Sequence, residues 1–130
     1  MSLTILAVDD SPSMREMVAF VLRSAGYTVV EADDGESALA IARTQHVDVV
    51  LTDQNMPRVD GLSLVRNLRG MPEYREIPII ILTTEASAEM KQKGREAGAT
   101  AWMVKPFDPE RLVTLLKTAW VMKPRTEFVK

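Results

Sequence analysis

Five short runs of apolar, largely β-branched residues alternate along this chain with stretches whose apolar residues recur at helical spacing. The runs that predict strands are 3–8, 27–32, 47–52, 77–82 and 100–104. The third and fourth are almost continuously apolar, which is typical of parallel strands covered on both faces. Strict alternation requires right-handed crossovers that place helices on both sides of the sheet. We therefore expect an α/β, doubly wound domain whose five-stranded parallel sheet has the order 2-1-3-4-5.

Capping signals and apolar stripes predict the helices between these strands. The first begins at Ser11, a capping residue followed by proline, and ends before Gly26. The others are expected at 34–44, after Gly61, at 87–97 and from Asp108 onward. Their apolar stripes are Met14, Met17, Val18, Val21 and Leu22; Ala38, Ile41 and Ala42; Leu64, Val65 and Leu68; and Leu112, Leu115, Leu116 and Ala119.

The helix predicted over 87–97 is the least well anchored. Met90 and Ala97 are its main apolar residues, and Gly94 interrupts it. A helix with few buried contacts is displaced at low cost, so we expect it to be the mobile element of the domain.

Composition excludes several classes of protein. The 130 residues suit one domain, and a net charge of −2 gives no field that would attract nucleic acid or an anionic membrane. The chain has no cysteine and a single histidine, His46, which excludes disulfides, thiolate zinc sites and histidine-rich metal sites. No apolar run approaches the ~20 residues that span a bilayer, and the first residues do not resemble a signal peptide. We expect a cytoplasmic protein that binds neither nucleic acid nor membrane.

Polar residues follow four of the predicted strands and should meet at one edge of the sheet. Ligands of such sheets bind beyond the carboxyl ends of the strands, where the strand order reverses. The residues at those ends are Asp9, Asp10, Asp53, Thr83 and Lys105. Each alone could be a cap, a turn or a surface residue. Three clustered carboxylates, however, repel one another unless a cation offsets them, so together they indicate a functional site.

Oxygen ligands favour a hard cation, and Mg²⁺ fits better than Ca²⁺ because it takes one or two carboxylates, keeps waters and shares phosphate oxygens. A divalent cation and a lysine that face a carboxylate are the equipment of phosphoryl transfer. Asp53 is then the candidate nucleophile, which would become an acyl phosphate.

Together these motifs resemble the receiver domain of two-component response regulators (CheY-like). They are Asp9-Asp10, Asp53-Gln54-Asn55-Met56-Pro57-Arg58-Val59-Asp60-Gly61, Thr83 and Lys105-Pro106-Phe107, in that order. The resemblance covers residues 3 to about 120 and implies a flavodoxin-like fold. Receivers are themselves an example of the order 2-1-3-4-5, so the strand order expected above and this resemblance are not independent of each other. The expected domains are a receiver at 1–122 and a short basic tail at 123–130.

The resemblance implies a metal site and its ligands. Asp10 and Asp53 would bind Mg²⁺ directly, Asp9 would act largely through water, and the backbone carbonyl of Asn55 would supply another ligand.

The resemblance also implies the chemistry. Asp53 would accept a phosphoryl group from the phosphohistidine of a sensor histidine kinase, and Thr83 and Lys105 would contact the phosphoryl oxygens. The Lys105–Pro106 peptide bond is expected to be cis. Such a protein is not an enzyme with a separate substrate but a signalling switch that catalyses its own phosphorylation and slow dephosphorylation.

Two features favour a chemotaxis receiver. We expect no output domain after the short tail, so the signal would leave through a surface on the fourth helix, fifth strand and fifth helix. Asn55 and Glu85 match the pair that tunes acyl-phosphate lifetime in chemotaxis receivers. The expected partners are a CheA-like sensor kinase and a target such as a flagellar motor switch protein, and the receiver is expected to be monomeric.

Trp102 departs from the family pattern. It occupies the aromatic switch position, where chemotaxis receivers usually carry tyrosine. Tryptophan is bulkier and only donates hydrogen bonds, so a role in the switch competes with a simpler interpretation as a rim aromatic of the last strand.

Three other functions fit the sequence less well than this one. A flavodoxin would need a phosphate loop rich in serine, threonine and glycine after the first strand, where two carboxylates stand instead. A haloacid-dehalogenase-type phosphatase expects a second aspartate where Asn55 stands. A DNA-binding protein would need a basic recognition helix. A receiver in another phosphorelay and a receiver cut from a longer regulator both remain open.

Overall fold

A computed structural model describes residues 3–121, and the tail predicted at 123–130 lies outside them. The strands are β1 (Thr4–Val8), β2 (Thr28–Ala32), β3 (Val49–Thr52), β4 (Ile79–Thr83) and β5 (Ala101–Val104). The helices are α1 (Pro12–Ser24), α2 (Gly35–Thr44), α3 (Gly61–Arg69), α4 (Ala88–Ala97) and α5 (Pro109–Val121), with a 3₁₀ turn at Pro72–Tyr74. Within residues 3–121, no helix has the length and apolar character needed to cross a membrane.

The five strands are parallel and follow the predicted order 2-1-3-4-5. β1 lies between β2 and β3, so the strand order reverses beside it. Val8 at the end of β1 lies opposite Thr52 at the end of β3. Asp9 and Asp53 therefore leave neighbouring strands at the same level, as the sequence predicted.

Two apolar layers cover the sheet. One lies between the sheet and α2, α3 and α4, and the other lies between the sheet and α1 and α5. Successive residues of β1 enter opposite layers, with Leu6 and Val8 in the first and Ile5 and Ala7 in the second. Strands buried in this way need apolar residues on both faces, which explains their nearly continuous apolar sequences.

Ser11 caps α1 as predicted, and α2 and α4 begin one residue after their predicted starts, Asp34 and Ser87, which are their caps. The side chains of Ser11, Asp34 and Ser87 each accept a hydrogen bond from the amide three residues later, and each satisfies one of the free donors of a helix start. The side chain of Asp60 caps α3 in the same way.

In several helices, the face that packs against the sheet differs from the apolar face predicted from the sequence. Met17 is 53% exposed, and the half-buried members of the predicted stripes are Met14, Val21, Ile41 and Leu115. Leu39, which was not expected in the core, is buried. The spacing of apolar residues defines a stripe along a helix but not the line on which the helix touches the sheet. In α1 that line runs through Val18, Ala19 and Leu22.

Gly94 does not interrupt α4 but allows it to pack closely. A Cβ atom at this position would lie 2.8 Å from Cε3 and Cζ3 of Trp102, so the helix backbone rests directly on the indole ring. Trp102 is only 2% exposed, so the interpretation of this residue as a rim aromatic is wrong. Gly94 and Ala97 are the only buried residues of α4, so its contact with the indole is one of the few that hold it in place.

Gly94→Ala is expected to destabilise the protein. A new Cβ against the indole costs about 1–3 kcal/mol, which exceeds the gain of about 1 kcal/mol from replacing glycine with alanine in a helix. In a Trp102→Leu background the ring is absent, and the same substitution should become neutral or stabilising. Urea unfolding of the four proteins measures both differences. An equal effect in both backgrounds would show that Gly94 and the indole are not coupled.

Candidate functional site

Asp9, Asp10 and Asp53 come together at the carboxyl ends of β1 and β3. One carboxylate oxygen of each lies within 4.8 Å of the others. Asp9 is buried, Asp53 is half-buried and Asp10 is exposed, so the cluster opens to solvent on the side of Asp10. The convergence predicted from the strand ends is therefore present.

Lys105 lies between two of these carboxylates. Its Nζ is 2.8 Å from Oδ2 of Asp9 and 3.3 Å from Oδ2 of Asp53. Burial lowers the pKa of Lys105, but the hydrogen bonds and charges of Asp9 and Asp53 raise it by more, so the net pKa lies above the ordinary value of 10.5. The ammonium group is therefore charged at neutral pH and offsets part of the repulsion between the carboxylates.

The Lys105–Pro106 bond is cis, as the resemblance implied. The backbone of Lys105 is also fixed, because its amide donates to the carbonyl of Thr83 over 2.8 Å.

Backbone amides hold the second oxygen of each carboxylate that contacts the lysine. Oδ1 of Asp9 accepts from the amide of Ser11 at 2.9 Å. Oδ1 of Asp53 accepts from the amides of Gln54 at 2.6 Å and Asn55 at 3.4 Å. Asp9 and Asp53 thus have one oxygen fixed by the backbone and the other directed at a cation.

Asp10 differs from the other two aspartates. Its carboxylate forms no hydrogen bond or ion pair with any residue in the part of the chain that the structure describes. An exposed carboxylate beside two others offers only oxygen ligands, which suits a hard cation that keeps part of its water shell. The donor set therefore fits Mg²⁺.

Gly61 and Gln54 hold the loop that follows Asp53 against the start of α3. A Cβ atom on Gly61 would lie 2.4 Å from the carbonyl oxygen of Asp53, so only glycine allows α3 to start this close to the strand end. The buried side chain of Gln54 accepts from the amide of Leu62 at 2.8 Å. Together these contacts fix the backbone of Asn55, whose side chain is exposed.

Thr83, Glu85 and Trp102 form a connected group beside the cluster. Thr83 is fully buried, and its Oγ1 accepts from the amide of Glu85 at 3.4 Å. The carbonyl of Glu85 in turn accepts from Nε1 of Trp102 at 2.9 Å. The backbone of Glu85, rather than its carboxylate, connects these side chains.

Sequence reasoning missed Gln54 and Arg15. Nη1 of Arg15 donates to the backbone carbonyl of Asp9 at 2.7 Å. Every residue has a backbone carbonyl, so the type of residue at position 9 does not indicate that its carbonyl binds an arginine. For Gln54, the available signal was a long amide side chain directly after Asp53 at the end of β3, but residue type alone does not show that this side chain is buried.

Comparisons with known proteins agree with this geometry. A family model of the response regulator receiver domain matches residues 5–117. The "Gliding motility regulatory protein" of Myxococcus xanthus is 44% identical over 103 residues, which cover 79% of this chain and 13% of that protein. The "Chemotaxis protein CheY-3" of Vibrio cholerae is 38% identical over 107 residues, 82% of each chain. The solved structure of the chemotaxis response regulator CheY4 of Vibrio cholerae has a TM-score of 0.87 and 46% identity, and the match covers 92% of this chain and 99% of that one.

Lys105→Met is expected to lower the free energy of unfolding at neutral pH, because it leaves the clustered carboxylates without their cation. The pKa of Lys105 in the folded protein lies above 10.5, so its stabilising effect is complete below that pH. The effect is lost as the pH rises through the raised pKa. The stability difference between parent and variant should therefore narrow in alkaline solution.

Urea unfolding between pH 7 and pH 11 measures this difference. Lys117→Met is the matched control, since it removes the same charge from the exposed face of α5. A difference between parent and Lys105→Met that stays constant across this pH range would contradict the predicted linkage.

Proposed function

Because the chain belongs to the response regulator receiver domain family, we propose that Asp53 accepts a phosphoryl group from the phosphohistidine of a sensor histidine kinase. The earlier resemblance to CheY-like receivers is confirmed by the family and structural matches. The observation that carries the proposal is the position of Asp53, one of whose oxygens is held by backbone amides while the other faces Lys105. We propose residues 1–122 as the receiver and 123–130 as its basic tail.

The metal site forms one part of the proposed mechanism. Asp10, Asp53 and the backbone carbonyl of Asn55 would hold Mg²⁺, with Asp9 acting largely through water. When bound, Mg²⁺ neutralises charge on the phosphoryl oxygens during transfer. Asp10 suits this role because its carboxylate forms no hydrogen bond or ion pair with other described residues, so metal binding displaces no such partner.

Asp53 is the proposed nucleophile. Its Oδ2 forms the new bond to phosphorus as the phosphorus–nitrogen bond of the phosphohistidine breaks, and the imidazole leaves with that electron pair and takes up a proton. The amides of Gln54 and Asn55 hold Oδ1 and so orient the attacking oxygen.

Lys105 and Thr83 are the proposed contacts of the transferred group. The ammonium group keeps its 2.8 Å bond to Asp9 and exchanges its longer contact with Asp53 for a phosphoryl oxygen. The hydroxyl of Thr83 donates to another phosphoryl oxygen. These residues contribute to catalysis by positioning the phosphoryl group and neutralising its charge. The protein would thus promote its own phosphorylation and act as a signalling switch.

The proposed output surface lies on α4, β5 and α5. A groove of about 540 Å³ runs along this face, and Lys91, Trp102, Leu115 and Thr118 are among its lining residues. If Thr83 moves toward the phosphoryl group, the amide of Glu85 moves with it, and Trp102 and α4 follow through their contacts. A difference of a few kcal/mol between two positions is enough for such a switch.

We further propose a role in chemotaxis, with a CheA-like kinase as the donor and a protein such as a flagellar motor switch component as the target. The matches to CheY-3 and CheY4 across most of both chains support this assignment. Asn55 and Glu85 would tune the lifetime of the acyl phosphate, and the receiver would act in the cytoplasm as a monomer.

A receiver within a longer regulator is the second candidate. The chain spans 13% of the length of the Myxococcus protein, which shows that such domains occur inside larger proteins. The length of the complete gene distinguishes the two candidates.

Asp53→Asn is expected to abolish phosphorylation, because the amide cannot attack phosphorus. Incubation with radiolabelled acetyl phosphate and Mg²⁺ under single-turnover conditions measures the labelling. Asp33→Asn is the matched control, since Asp33 is an exposed aspartate of the loop before α2 and lies outside the three-carboxylate cluster. Label retained in Asp53→Asn would overturn the assignment of the nucleophile.

Phosphorylation is also expected to change the fluorescence of Trp102, because its Nε1 is bonded to the loop that follows Thr83. The measurement uses a Trp120→Phe background, Mg²⁺ and beryllofluoride as the phosphoryl mimic. Adding Asp53→Asn to the same background should remove the change. A constant spectrum in the parent background would show that the proposed connection does not transmit the signal.

A further inference from the structure

Arg15, in the first turn of α1, connects the loop that carries Asp9 and Asp10, here called the acidic loop, to β2. Its Nη1 donates to the backbone carbonyl of Asp9 at 2.7 Å, and its Nε lies 3.4 Å from Oε1 of Glu31. The side chain of Arg15 is 20% exposed and that of Glu31 is 31% exposed, so this pair is partly shielded from water. Neither residue belongs to the three carboxylates or to the groups that would touch a phosphoryl group.

The contact with Arg15 completes the set that holds Asp9. Its amide donates to the carbonyl of Ala32, and its two carboxylate oxygens accept from Ser11 and Lys105. The carbonyl accepts from Arg15. The next residue, Asp10, has no such contacts among the described residues, so the direction of its side chain depends on the backbone that Asp9 fixes.

We propose that Arg15, oriented by Glu31, is a positioning residue for the magnesium site. It holds the backbone of Asp9 and Asp10 so that both carboxylates face the metal despite their mutual repulsion. This inference rests on the proposed function, because it assigns the metal site of that function a supporting pair of residues. Partners that orient ligands from outside the metal site commonly change metal affinity by about 10–100-fold when they are removed.

A purely electrostatic role of Arg15 predicts the opposite sign. A cation near the cluster repels Mg²⁺, so its removal would strengthen binding if charge alone mattered. Positioning predicts that binding weakens. The direction of the change in the Mg²⁺ dissociation constant therefore separates the two explanations.

Arg23 provides a matched control. Its Nη1 lies 3.3 Å from the other oxygen of Glu31, and its Nη2 donates to the carbonyl of Val29 at 3.0 Å. Arg23→Met removes the same charge and breaks a contact with the same carboxylate as Arg15→Met does. It leaves the carbonyl of Asp9 untouched.

The first measurement is a titration with Mg²⁺ in the absence of any phosphoryl donor. Backbone amide NMR shifts monitor the binding and give the dissociation constant. Arg15→Met should weaken binding about tenfold or more, whereas Arg23→Met should leave the dissociation constant within about twofold of the parent value. Arg15→Lys keeps the charge but lacks the planar fork, so it should give intermediate weakening. Unchanged or stronger binding in Arg15→Met would overturn the inference, as would equal weakening in Arg23→Met.

The second measurement needs no metal and separates this inference from the proposed function. The amide of Ser11 donates to Asp9, so its hydrogen exchange in the metal-free protein reports how well the acidic loop is held. Exchange should be faster in Arg15→Met and unchanged in Arg23→Met. Absence of Mg²⁺ binding in the parent would refute the proposed site, whereas unchanged Ser11 exchange in Arg15→Met would refute the positioning role alone.

Discussion

The contact of one ammonium group with two carboxylates is the interaction on which the site depends. Lys105 follows the edge strand β5, and it reaches Asp53 after β3 and Asp9 after β1. The aspartates lie 96 and 52 residues away in sequence, so only the completed sheet brings these charges together. Without the lysine, three like charges would face one another at a half-buried strand edge, and their repulsion would oppose folding.

Charge compensation also decides which atoms remain available for chemistry. In Asp9 and Asp53, one carboxylate oxygen accepts from backbone amides and the other contacts Lys105. The carboxylate of Asp10 has no hydrogen-bond or ion-pair partner among the described residues. The site is thus rigid on the side that would orient the nucleophile and open on the side where a hydrated cation could enter. That asymmetry follows from where the three aspartates stand on the two strand ends rather than from their chemical type.

The sequence predicted the alternation of strands and helices, the cap of α1 and the convergence of the acidic cluster, because each depends on local pattern and on simple topology. The strand order also rested on the resemblance to receivers. The sequence did not predict how far Trp102 would be buried, since periodicity gives the face of a residue but not the depth of the helix above it. Met17 is exposed for a different reason, because the spacing of apolar residues does not determine the line along which α1 touches the sheet. Arg15 was missed because its partner is a backbone carbonyl, which every residue possesses.

The close contact between α4 and the indole has a consequence for the history of such sequences. With Trp102 in place, position 94 accepts only glycine without rearrangement. A lineage that acquires the larger ring while a side chain stands at 94 loses about 1–3 kcal/mol of stability. The change to glycine is therefore favoured to come first, and in the reverse direction the ring is favoured to shrink first. The effect of a substitution at position 94 therefore depends on the residue at position 102, and the reverse also holds. The order in which the two substitutions occur matters as well as their number.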